Sequence, residues 1–285
     1  MNYRHAFHAG NFADVFKHVL LSRILVYLGR KPAPFRYIDT HAGLGRYDLA
    51  GDAATRTGEW RAGIGRLCAA EHPPAVRGLL APYLELVGPL VEDGRPLDYP
   101  GSPAVAQALL RDGDRLLLAE LHPTDAAALR RAMGRDKRVK VLERDGYAVL
   151  NAAVPPPERR GLVLLDPPFE VPDEFDRLAE ALAGACRKWA TGTYAVWYPI
   201  KEPAPLDVFY RRLGGLALPP ACRLELARDA ASAEAPLRGC GLLVINPPFV
   251  LAEESRAILP HLGAVLGGTP ATPFHSTIAE MPAGC

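Results

Sequence analysis

Two short stretches of this chain share one chemical design. Asp166-Pro167-Pro168-Phe169 closes the apolar run GLVLLD (161–166), and Asn246-Pro247-Pro248-Phe249 closes GCGLLVIN (239–246). Each delivers a polar side chain at the end of a strand-like segment. Two prolines then fix φ and remove N–H groups that would compete for an acceptor, and an aromatic ring follows. This assembly suits methylation of an aromatic amine such as adenine N6, whose lone pair is delocalised into the ring. A carboxylate accepting one N–H, with a backbone carbonyl accepting the other, favours the sp³-like nitrogen that must attack. A proton acceptor of this kind contributes about 10²–10⁴-fold. Stacking on a ring such as Phe169 is worth roughly 1–3 kcal/mol per base, and a base inside a helix must first flip out.

The elements that position these stretches are readable. FRYIDT (35–40), RLLLAEL (115–121), RVKVLER (138–144), GLVLLD and TYAVWYP (193–199) alternate with helical patterns at 103–111, 124–134, 172–190 and 203–213. Such alternation implies right-handed crossovers and a parallel sheet covered on both faces. RLELAR (223–228) and the 239–246 run leave no room for a helix between them, so they should pair antiparallel. The expected fold is α/β: a Rossmann-like, mostly parallel seven-stranded sheet with an antiparallel C-terminal hairpin. In that topology the carboxyl end of 239–246 lies away from the other strand ends. Asn246 is then a structural turn and Asp166 the chemical centre. Asn-Pro-Pro-aromatic motifs do occur in other amino-group methyltransferases, so a protein glutamine methyltransferase centred on Asn246 stays open.

Residues 47–101 hold two helical stretches (57–70 and 74–92) and little strand pattern. They read as a helical insertion subdomain. The Rossmann-like domain then comprises 1–46 and 102–285, with 1–30 forming an N-terminal arm and an amphipathic helix over 11–30.

Open α/β sheets bind ligands beyond the carboxyl ends of their strands. The first run delivers DTHAGLG (39–45), where Gly43 and Gly45 let the backbone approach a ligand. The second ends in Glu120, which can accept both hydroxyls of a ribose. The third is followed by Asp145-Gly146, suited to an adenine amino group. Gly101-Ser102-Pro103 reads as a helix start, with Ser102 as N-cap and Pro103 at the first helical position. Free N–H groups there suit a carboxylate such as the methionine tail of S-adenosyl-L-methionine. His18 and His41 are candidates to line the same pocket.

Composition bounds the rest. At 285 residues and 49% hydrophobic the chain can bury a full core, and no apolar run reaches the ~20 residues of a membrane helix. A cytoplasmic location is expected, and the five cysteines, with no C-x-x-C pair, read as free thiols. Four of eight histidines fall at 5, 8, 18 and 41, without the spacing of a zinc motif, so no metal is expected. Residues 1–46 carry seven basic side chains (Arg4, Lys17, Arg23, Arg30, Lys31, Arg36 and Arg46) against Asp14 and Asp39. A basic N-terminal face fits a phosphate-bearing partner. Tyr3, Arg4, His5 and Phe7 mix aromatic and basic groups that suit bases and phosphates.

YRHAFHAGNFADVFKH, DTHAGLGRY, YPGSP, ELHP, ERDGY, LLDPPFE and TGTYAVWYPI, in this order, resemble the bacterial family of large-subunit 23S ribosomal RNA adenine-N6 methyltransferases. The resemblance spans essentially the whole chain, and its N-terminal segment is the most distinctive part. It implies a class I methyltransferase fold with a helical insertion, acting as a monomer on one adenosine of protein-free 23S rRNA. It also implies cofactor contacts at His18, His41, Ser102, Glu120, Asp145, Gly146 and Asp166, with Asp166 as proton acceptor and Tyr3 touching RNA. Phe169 stands where related enzymes often have Tyr, and Leu44 replaces a smaller residue in the glycine turn. Two further readings stay open: a DNA adenine-N6 methyltransferase, and an inactive RNA-binding protein of the same fold.

Asp166→Ala is expected to keep S-adenosylhomocysteine affinity within about tenfold and to lower single-turnover methylation by about 10²-fold or more. Near-normal turnover would reject Asp166 as the acceptor.

Overall fold

The computed structural model describes residues 5–88, 91–92, 95–96, 98–228, 237–267 and 273–283. Helix α1 (Phe12–Gly29) starts where the Asn11 side chain accepts from the N–H groups of Ala13 and Asp14, both at 3.0 Å. After β1 (Arg36–Asp39) come β2 (Arg46–Asp48), α2 (Asp52–Thr57), a π-turn at Arg61–Gly65, α3 (Arg66–Ala69) and α4 (Pro74–Val87). Short β3 (Val91–Glu92), β4 (Arg95–Pro96) and β5 (Asp98–Pro100) lead to α5 (Ser102–Leu109). The regular alternation follows: β6 (Arg115–Glu120), α6 (Pro123–Met133), β7 (Val139–Glu143), α7 (Gly146–Ala153), β8 (Gly161–Leu165), α8 (Glu174–Lys188), β9 (Thr193–Ile200) and α9 (Pro203–Gly214). The chain finishes with β10 (Ala221–Arg228), β11 (Gly239–Ile245), α10 (Leu251–Leu266) and β12 (Phe274–Met281).

The large sheet has the order β12-β10-β11-β9-β8-β1-β6-β7. Strands β7, β6, β1, β8 and β9 are parallel; β11 enters antiparallel between β9 and β10. This is the mostly parallel α/β sheet with antiparallel C-terminal strands that the sequence predicts, extended by an eighth strand. That strand, β12, pairs antiparallel along all of β10. All five β8 residues are buried, as expected of an apolar run covered on both faces. Tyr37, Leu162 and Leu164 face one core with α1, α4, α5 and α10. Ile38, Val163 and Leu165 face the other with α8 and α9. Among the described residues no helix is long and apolar enough to cross a membrane.

Several expectations need correction. Helix α1 is not amphipathic: fourteen of its eighteen residues are buried, because it packs among α4, α5, α10 and β11. The basic N-terminal face dissolves with it. Lys17 and Arg23 are buried in ion pairs, Arg36 pairs with Glu158, and Arg46 pairs with Asp98. The helical pattern at 57–70 is broken by left-handed Gly58, and that at 74–92 stops at Val87. Helices α7 and α10 go beyond the sequence expectation; α10 carries an internal Pro260, which obscures its period.

The β11 register decides between the two proline motifs. Ile245 lies opposite Tyr194 at the start of β9, so Asn246 sits at the edge away from the parallel strand ends. Its amide donates to the carbonyls of Ala190 at 2.6 Å and Gly192 at 2.8 Å, and its carbonyl accepts from the Thr193 hydroxyl. Asn246 is a turn, and a reaction centred on it is overturned. Asn246→Ala is expected to cost about 1–3 kcal/mol of stability through the orphaned carbonyls, with S-adenosylhomocysteine affinity unchanged within twofold. Calorimetric unfolding and titration check it; lost affinity at wild-type stability contradicts the assignment.

Candidate active site

A cavity of about 830 Å³ opens beyond the carboxyl ends of β1, β6, β7 and β8. The turn after β1 forms its floor. Gly43 has φ +59°, and a Cβ there would lie 2.4 Å from the Tyr47 hydroxyl, so only glycine fits. Its N–H donates to Glu120 Oε2 at 2.9 Å, while Glu120 Oε1 accepts from the His122 N–H at 2.8 Å. Burial raises the Glu120 carboxyl, although both backbone donors favour its ionised form. Each oxygen keeps a second lone pair for a ligand hydroxyl.

Asp145 caps α7, accepting from the Ala148 N–H at 2.8 Å. Gly146 follows because any side chain would strike the Thr40 carbonyl, 2.0 Å from the position of a Cβ. His41 bonds through Nδ1 to Thr40 Oγ1 at 2.8 Å and sets its ring edge-on to Tyr147. Burial lowers its pKa to about 4, so the ring is neutral.

Ser102 departs from its expected part. Gly101, not Ser102, is the N-cap of α5, and no side chain caps the helix. The Ser102 hydroxyl instead donates to Asp39 Oδ2 at 2.7 Å, beside the Tyr37 hydroxyl at 2.7 Å. Ser102 is the first residue of α5, one position past the cap, and its hydroxyl gives its proton to the fully buried carboxylate at the end of β1. Burial pushes Asp39 up to about 6 against these stabilising bonds.

His18 is buried on α1, and burial lowers its pKa to about 3. Its Nδ1 lies 2.9 Å from the Tyr99 hydroxyl, which is itself 3.0 Å from that of Tyr83. The second ring nitrogen of His18 is Nε2. That atom is buried without a partner among the described residues, and the ring lines the cavity. His18, the glycine turn at Gly43 and the carboxylates of Glu120 and Asp145 line one cavity, a set of polar groups that could hold the charged tail, ribose and base of a nucleoside cofactor.

The reactive corner is built around Lys17. Its ammonium lies 2.6 Å from Asp166 Oδ2 and 3.0 Å from Asp14 Oδ1, with the Trp197 ring 5.9 Å away. Burial opposes the charge, but the two carboxylates override it and hold the Lys17 pKa well above its usual value. Asp14 is lowered despite its own burial, by His5 and Lys17. His5 Nε2 contacts Asp14 Oδ2 at 3.0 Å, and the His5 ring stands edge-on to Tyr47. A continuous polar line thus runs His5–Asp14–Lys17–Asp166. Pro167 is buried beside it. Phe169 adopts φ +51°, unusual for a bulky residue, and packs against Phe175 and Trp197.

The cavity therefore brings together His5, His18, His41, Gly43, Ser102, Glu120, Asp145, Gly146, Asp166, Pro167 and Phe169. Tyr3 and Arg4 lie outside the described residues. Sequence reasoning misses Lys17, Asp14 and Trp197. The available signal is the pair Asp14 and Lys17, opposite charges three residues apart within a mostly apolar helix. Among the described residues no group of three or more His, Cys, Asp or Glu is placed to hold a metal ion.

Comparison with known proteins bears on the whole chain. Residues 32–274 match the family model described as "Ribosomal RNA large subunit methyltransferase D, RlmJ". Ribosomal RNA large subunit methyltransferase J of Escherichia coli K12 is 39% identical over 279 residues, spanning 98% of each chain. Its namesake from Haemophilus influenzae Rd is 40% identical over 267 residues, 93% of this chain and 94% of that one. Protein LPL1258 of Legionella pneumophila Philadelphia 1, known by crystal structure, superposes with a TM-score of 0.85 at 36% identity, covering 97% and 98%. With a shared fold, a shared length and this level of identity, the chain belongs to the RlmJ family of ribosomal RNA large subunit methyltransferases.

Proposed function

We propose that this protein transfers a methyl group from S-adenosyl-L-methionine to N6 of one adenosine in 23S ribosomal RNA. The observation that carries the reading is one cavity in which Asp166, at the tip of β8, shares walls with Gly43, Glu120 and Asp145. Family membership supplies the substrate class. The reading includes a monomeric cytoplasmic enzyme acting on protein-free rRNA or an early assembly intermediate, with residues 47–101 as a helical insertion subdomain.

Gly43, Gly146, His41 and Ser102 would shape the cofactor pocket. Glu120 would take the ribose hydroxyls, Asp145 the adenine amino group, and His18 Nε2 the methionine carboxylate. The bound cofactor supplies an electrophilic methyl on a sulfonium centre. The chain's own task is to orient the nucleophile. Lys17 holds Oδ2 of Asp166 at 2.6 Å, which leaves Oδ1 for one N–H of the target amine. The Pro167 carbonyl is available to the other, since no backbone N–H among the described residues is seen to donate to it. Phe169, in its fixed left-handed turn, offers a face for the extruded base. Holding the base in line with the reacting methyl supplies much of the rate, and the acceptor adds to it. Tyr3, Arg4 and His5 would contact the RNA.

The test is methyl transfer from labelled cofactor to transcribed 23S rRNA, duplex DNA and protein, followed by nucleoside analysis. N6-methyladenosine at one rRNA position is expected; label confined to DNA or protein overturns the reading. Lys17→Met leaves two carboxylates near one another without their counter-charge, so turnover should fall by about 10²-fold or more. S-adenosylhomocysteine affinity should stay within about tenfold. Stability should also fall, by about 3–5 kcal/mol as for a broken buried ion pair, which thermal unfolding measures.

A further inference from the structure

The cavity does not end at Asp166. It continues past Trp197, Pro199 and Lys201 to Arg228, Leu237 and Leu266. Strand pairing explains the path. Strands β9 and β10 run in the same direction with β11 between them, so their carboxyl ends lie on the catalytic edge. The Arg238 N–H donates to the Ile200 carbonyl, and the Arg228 N–H donates to the Arg238 carbonyl. Phe274, at the start of β12, stands opposite Arg228. Lys201, Arg238 and Arg228 therefore form a row across three strands, level with the catalytic strand tips.

Arg228 is an unusual member of this row. Its guanidinium lies over the Phe274 ring at 4.4 Å, which fixes its orientation. Its Nε is buried without a hydrogen-bond partner among the described residues. Arg66, on α3, reaches the same corner and donates to the Leu266 carbonyl at 3.3 Å. Burial and the Arg66 charge both lower the Arg228 pKa. No carboxylate among the described residues forms an ion pair with Arg228, Arg66, Arg238 or Lys201. This contrasts with Arg23, Arg36, Arg111 and Arg138, each held by an acid. Two like-charged guanidiniums that no acid among the described residues pairs with make a site that an external anion completes. Arginine pairs with phosphate through two parallel N–H bonds.

We propose that Arg228 and Arg66, continued by Arg238 and Lys201, form the surface that holds the phosphodiester backbone of the RNA strand presenting the target adenosine. This rests on the reading of the chain as an RNA methyltransferase and adds the place where its substrate is gripped. The basic residues of the N-terminal region are largely consumed in internal pairs, so they do not supply it. Backbone contacts of this kind set register on the strand. Their position beside Trp197 and Pro199 puts the grip on the β12 side of the reactive corner, away from the wall built by Glu120 and Asp145.

The experiment uses the full chain and a transcribed 23S rRNA fragment. RNA affinity is measured across a salt series, alongside S-adenosylhomocysteine titration and turnover at saturating RNA. For Arg228→Gln combined with Arg66→Gln, RNA affinity should fall by tenfold or more. The slope of log K against log salt should flatten by about 0.7–0.9 per lost phosphate contact. Cofactor affinity should hold within twofold and saturated turnover within about threefold. Arg228→Lys should keep the wild-type slope, and Lys137→Gln, at the opposite edge of the sheet, should change nothing. Unchanged RNA affinity and slope in the double variant overturns the proposal while the methyltransferase reading stands. Equal loss in Arg228→Gln and Arg228→Lys, or a matching loss of cofactor affinity, also overturns it by assigning Arg228 to packing. A wild-type protein that binds cofactor and neither binds nor methylates RNA overturns the underlying reading instead.

Discussion

One buried ammonium organises the reactive end of this molecule. Lys17 is withdrawn from water between Asp14 and Asp166, an arrangement whose desolvation cost is several kcal/mol per ion before the attraction is counted. Apolar side chains in place of all three charges would pack without that cost, so stability alone does not call for the triad. The ammonium fixes one oxygen of Asp166 and leaves the other for a ligand. It also couples the strand tip to α1, and through Asp14 to His5 on the N-terminal segment. Displacement of that segment changes the environment of Asp14, and the neighbour that answers is the lysine on the acceptor.

The sheet topology does comparable work at larger scale. Asp-Pro-Pro-Phe and Asn-Pro-Pro-Phe are nearly equivalent as local chemistry, and the direction of one strand separates them. Because β11 runs against β9, Asn246 spends its amide on the carbonyls of a neighbouring turn. Asp166 keeps an oxygen facing a cavity. The same reversal carries β10 back to the edge where the parallel strands end, and Arg228 arrives at the wall of the same cavity.

Much of this arrangement is legible in the amino-acid sequence. The strand ends Gly43, Glu120, Asp145 and Asp166 follow from apolar runs and the polar residue that closes each, since a buried parallel strand has one readable end. Illegible are the features set by tertiary packing. Helix α1 reads as amphipathic because its charges stand out in the sequence, whereas those charges are satisfied inside the protein by partners over a hundred residues away: Lys17 by Asp166, and Arg23 by Glu254. Ser102 has the composition of an N-cap, but the helix starts one residue earlier than the sequence suggests and the serine hydroxyl donates to Asp39, an acceptor that only the folded β1 presents. Strand β12 and helix α10 are hard to read because FHSTIAEM is half polar without strict alternation and only partly buried, and Pro260 interrupts the helical period.

The most direct test of the central claim is a crystal structure with S-adenosylhomocysteine and an adenosine-containing RNA fragment bound. The account predicts the adenine ring against Phe169, its exocyclic nitrogen within hydrogen-bond distance of Asp166, and Lys17 still in contact with the same carboxylate. A target base whose amino group approaches neither Asp166 nor the Pro167 carbonyl, with S-adenosylhomocysteine in the cavity, would contradict it.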